Sequence, residues 1–182
     1  LPVRFDQFLS NLHHHEVRVS DYPLFDYQPY ELVLASRMVD VVKHEKLDLL
    51  HVHYAIPHAS AAFMAREILK SQGIQIPFVT TLHGTDITLV GKDASFEPVI
   101  TFAINQSDAV TAVSQSLKED TLRLFDIHKE IHVVPNFIDI AKVQTKKVLT
   151  GIKKQKFVNY SPKKNTNIFL PNYKNSLALL IT

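Results

Sequence analysis

The chain contains no cysteine at any of its 182 positions. That excludes a disulfide framework, a thiolate zinc site and a cysteine nucleophile, and it fits a reducing compartment. Glycine is scarce, with only Gly73, Gly84, Gly91 and Gly151. No glycine-rich phosphate cradle can be built from these four, and neither G-x-G-x-x-G nor a Walker loop occurs. G-x-S-x-G and H-E-x-x-H are also absent, which removes the commonest serine-hydrolase and zinc-protease signatures. No apolar run approaches the roughly 20 residues that span a bilayer, and Leu1 to Gln7 lack the order of a signal peptide. The expectation is a cytoplasmic protein that does not enter a membrane. An initiator Met is missing as well, so we expect Leu1 to lie inside a longer protein.

Acidic residues are missing from the last quarter of the chain. All 18 Asp and Glu lie at or before Asp139, where the balance with 11 of the Lys and Arg is −7, whereas from Ala141 onward it is +9. A basic tail can bind nucleic acid or anionic lipid. This one has no clear periodicity and no clustered arginine, so nucleic acid is not the expected partner. Its Lys, Asn, Ile, Thr and Leu are what AT-rich codons yield out of frame. We therefore expect two segments: a partial domain over 1–140, and a tail over 141–182 that is frameshifted or disordered.

Hydrophobic residues make up 46% of the chain, enough for a buried core. Between residues 10 and 140, strand-like and helix-like runs alternate, the pattern of an α/β fold with a Rossmann-like parallel sheet and helices on both faces. Spacings of three and four among Leu32, Ala35, Met38, Val39 and Val42 predict a helix over 30–45. Leu47 to His53 reads as a buried strand. Pro57 opens a helix through Ala61, Ala62, Met64, Ile68 and Leu69, which Gly73 ends. A strand at 76–82, a helix at 96–106, a strand at 109–113, a helix at 116–125 and a strand at 131–134 complete the series, with Ser114 as an N-cap.

In open parallel sheets, ligands bind outside the carboxyl ends of the strands. Three strand ends carry suitable residues: His51, His53, Tyr54 and His58; then Thr81, His83, Gly84, Thr85 and Asp86; then Pro135, Asn136 and Asp139. Gly84 would let backbone approach a ligand, while His83 can donate to an anionic oxygen. A βα turn that merely needs a glycine is the alternative. His51-x-His53 admits a metal reading, since alternate strand residues share a face, but no further His or carboxylate completes the site. A tautomer-fixed histidine at a strand end is preferred, and no metal is expected. His13-His14-His15 is read as an exposed turn, because adjacent residues cannot all face one way.

Five ordered blocks make the sequence specific. They are Asp21 to Phe25, Leu47 to Ala59, Thr81 to Gly91, Ile104 to Asp108 and Val134 to Asp139. Together they resemble the N-acetylglucosaminyl-malate synthase family within glycosyltransferase family 4, over about residues 2–140. That resemblance implies the amino-terminal, acceptor-binding half of a GT-B fold. It implies an enzyme, a retaining hexosyltransferase moving GlcNAc from UDP-GlcNAc to L-malate at the start of bacillithiol synthesis. No cofactor is implied, and a homo-oligomer is left open.

By the same resemblance, His83 is the catalytic histidine near the reacting sugar and diphosphate, where a donor stabilises charge on the leaving group. Tyr54 and Thr81 line the malate pocket, Asn136 sits at the mouth of the cleft, and Gly84, Thr85 and Asp86 support His83. The family's first strand and Gly-Gly-Ser-Gly loop should precede Leu1. No E-x7-E segment or diphosphate site appears in 141–182, so this chain alone is expected to be inactive. Another acceptor on the same fold, a non-catalytic remnant or binding module, and a metal-dependent hydrolase are the alternatives.

Overall fold

The computed structural model describes residues 13–19, 29–89, 91 and 93–137. The expectations for 141–182 lie outside the described residues. The chain divides into two units, and every described residue belongs to the first except Asn136 and Phe137.

Helix α1 spans Tyr30–Glu45, the bounds that the apolar spacing predicts. Its buried side is wider than the spacing implied. Leu34 and Val41 join Ala35, Met38, Val39 and Val42 in the core, while Leu32 is 53% exposed. Lys46 ends the helix in the left-handed region at φ 53°, and the Leu47 amide donates to Val42 O at 3.1 Å. Strand β1 is therefore Leu50–His53, beginning three residues later than expected.

A π-type turn at Ala55–Ala59 leads into α2, Ser60–Ser71. Ala61, Ala62, Ala65 and Leu69 form its buried face, and Met64, expected inside, is 39% exposed. Strand β2 is Phe78–Leu82, followed by a second π-type turn, Thr85–Leu89. Helix α3 at Glu97–Gln106, β3 at Ala109–Ala112, α4 at Gln115–Leu124 and β4 at Ile131–Val133 follow. Ser114 caps α4 as expected, its hydroxyl accepting from the Leu117 amide at 3.1 Å.

Among the described residues, four strands run parallel in the order β1-β2-β3-β4. Parallel neighbours need crossovers, and crossovers of one hand between strands added in sequence put successive helices on the same side. The packing follows that rule. Leu50, Val52, Phe78, Leu82, Val110, Ala112 and Ile131 face one way, and they share two apolar clusters with the buried residues of all four helices. The opposite face carries His51, His53, Val79, Thr81, Ala109, Thr111 and His132, of which only Thr81 is buried. Among the described residues, the helices thus seal one face of the sheet, not both as expected, and the other face is polar.

Candidate functional site

The polar face and the two π-type turns converge at the carboxyl ends of β1 and β2. Strand register sets the arrangement: His53, Thr81 and Thr111 are ladder partners and point the same way. Thr81 Oγ1 lies 2.7 Å from both His51 Nε2 and Thr111 Oγ1, so the hydroxyl of this buried residue is engaged on two sides. The Thr81 carbonyl accepts the Tyr54 amide at 2.8 Å, which anchors the first turn to the second strand.

Four neighbouring rings extend outward from this row. His51 and His53 lie 5.0 Å apart, His53 and His83 4.9 Å, and Tyr54 and His83 5.0 Å. Nδ1 of His53 and Nε2 of His83 are 2.6 Å apart. Burial lowers the proton affinity of His51, with His83 as a lesser cause. His53 is pushed down to about 4 by burial and by the neighbouring His51, His83 and His58. Burial also lowers His58. Near neutral pH these three rings are therefore uncharged, and they present hydrogen-bonding nitrogens instead of fixed cations.

Tyr54 holds a backbone conformation that L residues rarely adopt, φ 76° and ψ 140°. Such strain persists only where surrounding contacts enforce it, and it concentrates at functional sites. Here the enforcing contacts are the Thr81 carbonyl bond and the ring packing against His83 and His58. Gly84 has φ 117°, and its carbonyl accepts Thr88 Oγ1 at 2.9 Å and the Thr88 amide at 2.7 Å.

Asp86 is 3% exposed and acts through the backbone. Its carboxylate accepts the amides of Ala55 at 2.7 Å and Gly84 at 3.2 Å, clamping the two turns together. Burial raises its pKa and those two amides oppose the rise. The His83 ring is held by His53, while Asp86 fixes the loop that carries it. Thr85 is exposed on its turn, and Asn136, in the second unit, is exposed beyond β4.

His51, His53 and Thr111 complete the network around the expected residues. The two histidines were legible as an alternating pair at a strand end; Thr111 was not, because its role depends on register. Among the described residues, no group of three or more His, Asp or Glu is arranged to hold a metal. The His13-His14-His15 run lies in neither the expected turn nor a strand; His13 and His15 both reach Glu45, at 3.3 and 3.1 Å, and His15 is partly buried. Among the described residues, no helix is long and apolar enough to cross a membrane.

The N-acetyl-alpha-D-glucosaminyl L-malate synthase of Bacillus anthracis is 48% identical over 163 residues, 90% of this chain and 42% of that protein. The putative teichuronic acid biosynthesis glycosyltransferase TuaC of Bacillus subtilis (strain 168) is 31% identical over 124 residues, 64% of this chain and 29% of that one. An uncharacterized glycosyltransferase of Methanocaldococcus jannaschii is 29% identical over 79 residues, 43% of this chain and 21% of that protein. The chain thus spans less than half the length of these curated relatives. Coverage of 90% exceeds residues 1–140, so the Bacillus anthracis alignment continues past Asp139. The family model described as Glycosyltransferase Family 4 matches residues 3–142, and the chain belongs to that family.

Proposed function

We propose that this chain is the acceptor-binding part of a retaining glycosyltransferase that transfers GlcNAc from UDP-GlcNAc to the hydroxyl of L-malate in the cytoplasm. The observation that carries this reading is the 48% identity, over 90% of the chain, to a relative named for an N-acetylglucosaminyl malate product. The site's chemistry agrees with it. An acceptor hydroxyl needs hydrogen-bonding partners at a strand end, and departing UDP needs a donor for the charge that develops on its diphosphate. Tyr54 and Thr81 take the first role and His83 the second. Gly84, Thr85 and Asp86 shape the turn that presents His83, and Asn136 contributes at the cleft mouth.

These 182 residues contain no E-x7-E segment and no glycine-rich phosphate loop. Taken alone, they therefore bind the acceptor without transferring sugar. Ligand-observed NMR on this chain, with L-malate and with succinate, tests the reading. Malate should bind and succinate, which lacks the hydroxyl, should bind at least tenfold more weakly. Equal binding of the two, or none by folded protein, removes malate as the acceptor and favours a different hydroxylated acceptor on the same family fold.

A further inference from the structure

The contact between His53 and His83 restricts the chemistry of His83 more tightly than its position alone. Two facing ring nitrogens 2.6 Å apart must have one proton between them, since two lone pairs repel and two N–H groups clash. For two neutral rings, two arrangements satisfy that condition. With the hydrogen on Nε2 of His83, its Nδ1 is bare and can only accept. With the hydrogen on Nδ1 of His53, His83 accepts at Nε2 and keeps its own hydrogen on Nδ1.

Of these two, only the second suits a ring beside diphosphate oxygens, because a lone pair aimed at a phosphate oxygen repels it while an N–H donates. We infer that His53 is a positioning residue: its Nδ1–H donates to Nε2 of His83, fixing His83 as the Nδ1–H tautomer and reserving that hydrogen for an anionic substrate oxygen. This rests on the transfer reading proposed above.

The surroundings of His53 support the assignment. Its ring stacks on His51 at 5.0 Å and meets His83 at 4.9 Å, so rotation about the outer side-chain bond is restricted. Burial and the three neighbouring imidazoles keep it neutral, so it has a single N–H to place. Backbone contacts secure both ends of the bond. Tyr54, next to His53, is tied to the Thr81 carbonyl, and Gly84, next to His83, is tied to Asp86.

Nitrogen-15 multiple-bond spectra of the histidine rings, recorded on the full chain, test this directly. His83 should carry its hydrogen on Nδ1 in the wild type. It should keep it in His53→Asn, whose amide can donate from nearly the same place, and lose it in His53→Leu, where the commoner Nε2–H form should dominate. Backbone amide spectra establish that each variant is folded. A wild-type His83 with its hydrogen on Nε2 overturns the inference without any variant, and so does one tautomer shared by all three proteins. The readout requires no sugar transfer. An Nε2–H ring would remove the role of His53 and leave the proposed reaction standing, whereas an Nδ1–H ring without malate binding would do the reverse.

Discussion

The carboxylate of Asp86 accepts the amide of Ala55 at 2.7 Å across 31 positions of sequence, joining the turn after β1 to the turn after β2. Ala55 is fully buried, so its amide has no access to water if that oxygen is removed. Asp86→Ala should therefore cost about 2 kcal/mol, the penalty for orphaning a buried donor less the relief of desolvating a carboxylate. Urea denaturation checks this. A midpoint unchanged within error would mean that the clamp contributes nothing net.

Tyr54 provides a test that separates backbone strain from side-chain contact. Glycine tolerates φ 76° without penalty and alanine does not, while both variants lose the same ring contacts with His83 and His58. Tyr54→Gly should be more stable than Tyr54→Ala by about 1–3 kcal/mol, and both should lose malate affinity. Equal stabilities would show that the conformation relaxes once the ring is gone.

Gly84 gives the converse case. A methyl group there would meet only Leu117 Cδ1, at 3.9 Å, so space is available and φ 117° is the sole obstacle. Gly84→Ala should cost about 1–3 kcal/mol through backbone strain alone. Amide exchange at Thr88, which donates to Gly84 O, should quicken as the turn loosens. A variant as stable and as protected as the wild type would show that the turn can adopt a negative φ.

How much of this was legible in the sequence depended on whether the signal was local. The bounds of α1 followed from apolar spacing, and the cap of α4 from Ser114, because both are decided within one turn. The late start of β1 was hidden, since Lys46 takes a left-handed cap without the glycine that usually announces one. Met64 and Leu32 misled because a 3.6-residue period fixes a face only to within a residue or so. At the site, the strand-end rule brought Tyr54, Thr81 and His83 to one edge. It could not pair His53 with His83, or Thr81 with Thr111, because those contacts depend on a register shared by three separate segments.

The neutral histidines set the pH dependence of stability. His53 falls from an ordinary 6.5 to about 4, and burial lowers His51 and His58 in the same direction. Between 6.5 and 4 the unfolded chain binds more protons than the folded one at these positions, so their effect is to reduce stability as pH falls. Well above 6.5 the rings are neutral in both states and contribute no slope. Asp86 works oppositely: its pKa is raised above 3.8, so acidification relieves the cost of burying its charge. With three groups against one, the denaturation midpoint should hold steady well above pH 6.5 and decline through 6.5 towards pH 4. His53→Leu removes one of the three, and its midpoint should decline less steeply over that window. Parallel profiles for the two proteins would mean that His53 takes up its proton in the folded state as readily as in the unfolded one.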